Sequence, residues 1–297
     1  MKSAFPRSGQ VWFLVVALAL LWGSSFLVLK RVLETYDPIQ VFAGRMFFAA
    51  LTLLPFSLRY LPRISARQWP PLLALALIAN FATTLLNALA QVRISSSLAG
   101  TLNSLTPLMT LLIGVFFYRR RINRWQILGV FGGLIGTLLL LQSDQAGFTW
   151  LKLNAFALFV IGATLCMGFT NNLIKYNLPE LSNLQIASVS FLLVLPLSIA
   201  FGWYSEFFHV AFTDPTTRQA TWYLIFLGVA SNALALLMLA RIITLSSPVT
   251  ASLVTYLIPI IATIWGWWDG EAIYWYNLLI MALIIGCLYL VNHFSEE

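Results

Sequence analysis

Charge is scarce in this chain: 9% of its 297 residues are charged, 17 Lys and Arg against 10 Asp and Glu. Soluble domains carry about 25%, and a water-soluble fold of this length has nowhere to hide so much apolar surface. Cysteine is nearly absent. Cys166 and Cys287 lie inside apolar runs with no ligand-like spacing, which excludes a disulfide scaffold and leaves them as small apolar filler. The two histidines, His209 and His293, fall in a connection and at a helix end, with no metal or catalytic partner in sequence. No Asp or Glu occupies the middle of a long apolar run, which speaks against a proton relay through buried carboxylates. A membrane enzyme would need a buried acid, base or metal cluster. None is found, so no catalytic residue, metal or cofactor is expected.

What is present is length in apolar runs. Ten candidate spans are expected at about 11–30, 38–58, 69–91, 96–118, 124–141, 152–175, 183–204, 220–243, 247–268 and 273–293. The connections are short, the longest running from Ser205 to about Gln219. The first run follows Lys2 and Arg7 as a signal peptide would, but no small-x-small cleavage site ends it, so it is read as a retained helix.

The net charge of +7 could point to nucleic acid, but its distribution gives a plainer reason. With the N-terminus inside, the inner segments hold Lys2, Arg7, Arg59, Arg63, Arg67, Arg119, Arg120, Arg121, Arg124, Lys175 and Arg241. The outer segments hold Lys30, Arg31, Arg93, Lys152 and Arg218. This bias places both termini in the cytoplasm, makes the bilayer the partner and removes the case for nucleic acid. The basic run at 119–124 is an anchor beside anionic lipid.

The chain repeats itself. A shift of 152 lays "GTLNSLTPLMTLLIG" (100–114) on "SLVTYLIPIIATIWG" (252–266), matching Pro107 to Pro259, Gly114 to Gly266, and upstream Asn80 to Asn232. A shift of 145 matches Gly23 to Gly168, Lys30 to Lys175 and Gln40 to Gln185, and one of 150 matches Trp125 to Trp275. Two units, 1–148 and 149–297, therefore hold five spans each. Five is odd, so the second unit enters the membrane from the opposite side. The expected fold is an all-α membrane protein of ten transmembrane helices, two inverted five-helix repeats around a central cavity near the midplane.

Polar residues break the apolar runs in stripes. Asn103 and Ser104 with Pro107, Tyr256 with Pro259, Asn80, Thr83 and Asn87, Trp22 and Ser25, Thr170 and Asn172, and Asn232 are the candidate cavity wall. Lipid does not solvate such groups; a wet cavity or a neighbouring helix does. Pro107 and Pro259 are read as paired hinges, because a proline frees a carbonyl one turn earlier and bends its helix. Arg45 is the one strong charge well inside a span, about 10 Å below the helix start at Asp37 and Pro38. Its counterpart at the shift of 145 is Ser190. It either holds a substrate carboxylate or binds backbone carbonyls at broken helix ends, with the structural role favoured.

These features resemble the drug/metabolite transporter superfamily in its EamA-type branch. "LLWGSSF" (20–26), "AGRMFFAALTLLP" (43–55) with Arg45, "SLTPLMTLLIG" and "YLIPIIATIWGWWDGE", ending in Gly270 and Glu271, are similar to that family's first, second, fourth and ninth helices. The first-half counterpart of the Gly-Glu pair is "YRRR" (118–121), without the acid. The resemblance implies a bacterial inner-membrane carrier, functional as a monomer, that exports small organic solutes by alternating access. The polar and aromatic set of candidate wall residues suits amino acids or related metabolites. Export of toxic organic cations, and a channel, are the alternatives.

Overall fold

The computed structural model describes residues 9–119, 123–144, 147–148, 155–245 and 248–293. The expectations placed on Lys2, Arg7, Arg120, Arg121 and Lys152, and on the boundary next to residue 149, lie outside these residues. Ten long helices follow one another: α1 (Gly9–Val32), α2 (Pro38–Tyr60), α3, α4, α5 (Arg124–Gln142), α6 (Ala157–Asn177), α7 (Asn183–Tyr204), α8, α9 (Pro248–Trp268) and α10 (Trp275–His293). Three of them are interrupted. α3 runs through Trp69–Leu75, a π-helical segment Ala76–Ala82 and Thr83–Gln91. α4 is split into Ser96–Asn103 and Thr106–Tyr118. α8 runs through Arg218–Phe226, a π-helical segment Leu227–Leu234 and Ala235–Leu245. The long connection after α7, expected to be irregular, holds a short helix, Phe207–Thr213. A two-residue antiparallel ladder, β1 (Ser143–Asp144) with β2 (Gly147–Phe148), follows α5.

Hydrocarbon explains the lengths. At 1.5 Å per residue a span of 20 or so residues covers about 30 Å. Seven of the described helices meet the length and hydropathy of a span, and the chain is a multi-pass membrane protein. Trp203, Tyr204, Trp222, Trp267, Trp268 and Trp275, each well exposed, ring one end of the bundle, where α7 and α9 finish and α8 and α10 begin. Such a belt belongs at headgroup level. That end, away from the N-terminus, is the distal end.

Local chemistry sets the helix starts. Asp37 caps α2, its carboxylate accepting the Ile39 and Gln40 amides at 2.7 and 2.8 Å, while Gln40 Oε1 accepts the Asp37 amide. Ser182 and Gln185 form the same reciprocal box at the start of α7. The match of Gln40 to Gln185 is thus a match of two capping glutamines. Gln40 Nε2 also donates to the Ser205 carbonyl at 2.8 Å, joining the halves.

The packing obeys a pseudo-twofold that exchanges each helix with the one five later. α2 pairs with α7 and α5 with α10, the α1–α9 contact is repeated by α6–α4, and α3–α6 is repeated by α8–α1. Because five helices separate the mates, their directions oppose, and the axis lies across the bundle. Around that axis α1, α4 and α9 bury the main core, with Leu18, Phe26, Leu102, Leu105, Val254 and Ile258.

Two glycines show how close the symmetric contact is. A Cβ on Gly23 would stand 2.5 Å from Ile261 Cγ2. One on Gly168 would stand 2.7 Å from the Met109 carbonyl carbon and 2.8 Å from the Thr110 nitrogen. The mates of Gly23 and Ile261 are Gly168 and Met109, so this is one contact made twice. A side chain can turn aside and a backbone cannot. Gly168→Ala is expected to cost about 1–3 kcal/mol and Gly23→Ala less. Thermal denaturation in detergent measures the difference.

Candidate functional site

The two π-helical segments lie on equivalent helices at equivalent heights, and each holds one of the matched asparagines, Asn80 and Asn232. A π-segment widens the helix by one residue per turn and re-aims side chains, which is why it recurs at functional sites. Asn232 Oδ1 accepts a hydrogen bond from Arg45 Nη2 at 2.9 Å. Asn80 Nδ2 donates to Ser190 Oγ at 3.2 Å. Since Ser190 is the counterpart of Arg45, the molecule makes one polar contact twice across its axis, once with a cation and once without. Gly228, in the second π-segment, admits the α2 backbone: its Cβ would meet the Arg45 carbonyl oxygen at 2.8 Å.

More polar groups gather here. The Trp22 indole N–H donates to the Ser231 carbonyl at 3.0 Å, so α1 reads the π-segment of α8 directly. Ser25 Oγ donates to the Trp22 carbonyl, and Thr83 Oγ1 reaches back five residues to the Ile78 carbonyl at 2.9 Å. Asn87 Nδ2 donates to the Thr83 carbonyl. Three buried atoms, Arg45 Nε, Asn87 Oδ1 and Ser231 Oγ, have no hydrogen-bond partner. Leaving a buried polar atom unpaired costs about 1–3 kcal/mol. No described acid pairs with Arg45, and its one bond is to Asn232, not to carbonyls at a broken helix end.

Other predicted wall residues serve the helices. Asn172 is buried and donates to the Thr110 carbonyl at 2.8 Å and to the Gly168 carbonyl at 2.9 Å, stitching α6 to α4. Thr170 bonds the Cys166 and Met167 carbonyls of its own helix, and Ser104 the Thr101 carbonyl. Asn103 is half-buried beside the break in α4, and Tyr256 packs half-buried on the main core. The prolines are not alike. α4 breaks just before Pro107, and the Thr106 hydroxyl donates to the carbonyl of Asn103, the group that the proline leaves without an amide donor. α9 continues unbroken through Pro259. The two prolines thus stand in unlike surroundings, one at an interruption of its helix and one inside a continuous helix.

A second polar centre lies at the distal end, around Glu271 of the Gly-Glu pair, with partners that the sequence reading does not assign. Glu271, between α9 and α10, sits on the N-terminus of α4. Its Oε1 accepts from the Ser96 amide at 2.8 Å, the Ser96 hydroxyl at 2.9 Å and Lys30 Nζ at 3.0 Å. Its Oε2 accepts from the Ser97 hydroxyl at 2.8 Å and the Ser97 amide at 3.1 Å. Burial alone would raise this carboxyl, but the amide and hydroxyl donors of Ser96 and Ser97, with Lys30, outweigh it and hold Glu271 below the usual glutamate range. Asp269 completes the cluster with Lys30 at 2.7 Å and with Arg31. The cluster ties α1 and α4 of the first half to α9 of the second. "SSS" at 95–97 is a capping signal in the sequence; that its partner comes from 175 residues away is not.

Beside this cluster opens a cavity of about 770 Å³, lined by residues of α1, α3, α4, α9 and α10, among them Lys30, Gln91, Arg93, Thr101, Thr263 and Asn277. None of the predicted wall residues lines it; they lie deeper in the bundle.

The model of the EamA-like transporter family matches the chain twice, over residues 9–142 and 154–293. An uncharacterized transporter of Bacillus subtilis, YoaV, is 21% identical over 287 residues, covering 95% of this chain and 96% of that protein. A S-adenosylmethionine/S-adenosylhomocysteine transporter of Chlamydia trachomatis is 25% identical over 274 residues, covering 88% and 82%. A solved crystal structure superposes with a TM-score of 0.63 at 17% identity, covering 98% of this chain and 99% of that one, a likeness of fold.

Proposed function

Since the chain belongs to the EamA-like transporter family, we propose that it carries small zwitterionic organic solutes, amino acids or related metabolites, out across a bacterial inner membrane by alternating access. The observation that carries this reading is the polar contact made twice across the pseudo-twofold, Arg45–Asn232 and Ser190–Asn80. An inverted pair of polar contacts on widened helices is what two exchangeable half-sites need. Arg45 would take the solute carboxylate, with its unpaired Nε and the unpaired Asn87 and Ser231 oxygens available to the rest of the solute. The Chlamydia relative supports the class, because S-adenosylmethionine and S-adenosylhomocysteine both carry an amino-acid head.

The distal end would then face outward and the N-terminus the cytoplasm, as the basic residues suggest. The ionic cluster of Glu271 would be the outer gate in its closed form. At the other end the positions matching Asp269 and Glu271 are Phe117 and Arg119. There Lys175, the mate of Lys30, lies 5.5 Å from the Tyr176 ring centroid, and Tyr176 stacks on Tyr118 at 4.5 Å.

The test is counterflow in proteoliposomes with labelled amino acids, nucleosides and organic cations, run with impermeant cysteine labelling at Ser3 and Ser295 in whole cells. Amino-acid counterflow, with label reaching the two termini only after permeabilisation, is the expected result. Counterflow of cations alone would replace the substrate class, and labelling of intact cells would reverse the orientation.

A further inference from the structure

Two residues on the wall of the distal cavity have buried polar atoms that the fold does not use. Gln91, the last residue of α3, is 4% exposed, lines the cavity, and has neither Oε1 nor Nε2 hydrogen-bonded. Asn277, one turn into α10, lines it too, with its buried Oδ1 unpartnered. A glutamine at the end of a helix beside an open cavity has an easy alternative, which is to point outward. That this one stays in, with donor and acceptor both unpaired, marks a place built for something that supplies both.

We propose that this cavity is a second solute site, distinct from the Arg45 centre, that binds a small zwitterion of the α-amino-acid kind on the distal side of the protein. The wall chooses the class. Gln91 Oε1 and Asn277 Oδ1 are acceptors and call for an ammonium or another N–H donor. The wall carries the carboxylates of Glu34, Asp269 and Glu271 against the cations Lys30 and Arg93, a mixed field with one net negative charge that suits a zwitterion better than a bare anion, even with the three acids paired to Lys30 and Arg31. Gln91 Nε2 and the exposed Arg93 are donors and call for a carboxylate, which a bare cation lacks. A volume of about 770 Å³ leaves room for a large group attached to the amino-acid head. Within the transport reading, on which the solute class rests, this is where the solute waits next to the outer gate.

The experiment uses the full chain in nanodiscs, with Cys166 and Cys287 replaced by alanine and Ala272→Cys as reporter. Ala272 is exposed and lines the cavity. L-methionine is the probe. It is expected to protect Cys at 272 from an impermeant maleimide, and Gln91→Leu is expected to raise the concentration needed at least tenfold. Gln91→Leu should fold, since it removes two unpaired polar atoms from an apolar setting. If its yield collapses, Asn277→Leu carries the same expectation. Propylamine and propionate, each half of the head group, should protect far less.

Protection that depends on Gln91 supports the site even if counterflow of methionine fails, in which case the transport reading loses its substrate class and the site stands. Counterflow with no protection, or with protection unchanged in both variants, overturns the site and spares the transport reading. Equal protection by propylamine or propionate overturns the zwitterion. Neither counterflow nor protection overturns both.

Discussion

Arg45→Ser is expected to leave the protein folded and to abolish transport of carboxylate-bearing solutes, lowering initial rates about a hundredfold, or roughly 3 kcal/mol, the scale of a hydrogen bond to a charged group. The reasoning comes from the other half of the molecule. There Ser190 and Asn80 make the equivalent contact without any charge, and the helices pack in the same way. Serine at position 45 therefore copies an arrangement that this fold already tolerates. Keeping a guanidinium at this depth costs at least about 2.5 kcal/mol, and its single bond to Asn232 gives little in return. The balance favours a charge kept for a ligand over the structural role favoured by the sequence. Initial rates in proteoliposomes and size-exclusion profiles decide it. Loss of folded protein would restore the structural role, and normal rates would remove Arg45 from the site.

Glu271→Ala should have the next largest effect. The substitution strips four acceptor contacts from the start of α4 and leaves Lys30 with Asp269 alone. Breaking such a cluster costs about 3–5 kcal/mol, which is a hundredfold or more in the ratio of closed to open forms. The expected readout is faster maleimide labelling of a cysteine at Leu98, beside the cluster. The pH dependence follows from the same carboxylate. Its folded pKa lies below the ordinary value, so its stabilisation is in place above the unfolded glutamate pKa and is lost as pH falls through the folded one. The labelling rate at position 98, taken relative to the same cysteine in Glu271→Gln so that the thiol's own loss of reactivity in acid cancels, should therefore rise as pH falls below the usual glutamate range. Unchanged labelling in both variants would mean that the distal end is held by packing.

Much of this architecture is legible in the sequence, because hydrocarbon imposes long apolar runs and an odd repeat imposes inversion. The offsets also reach the site. Asn80 with Asn232, and Arg45 with Ser190, are equivalences read from the chain, and the structure joins each member of one pair to a member of the other. The π-segments are not legible. Nothing in "ALIANFA" or "LGVASNAL" departs from helical composition, and the change is in which amide meets which carbonyl. The unlike behaviour of the prolines was within reach. Thr106 supplies a hydroxyl to the carbonyl beside Pro107, while the matching position before Pro259 is Ile258, which has none. Glu271 stands out in the sequence as part of a motif, but its role is not legible there because its partners lie far away in sequence.

The unlike ends of the bundle bear on thermodynamics. Among the described residues, an ionic cluster marks one end and the stack of Tyr118 on Tyr176 marks the other. In a carrier with gates of unequal strength, the two access states differ in free energy, so the solute concentration that half-saturates transport differs between the two faces. The ratio at which net flow stops does not change, because a resting bias of the empty protein enters both directions of the cycle equally. On the alternating-access reading proposed above, the unlike ends would set how readily each face is served, and accumulation would have to come from a gradient.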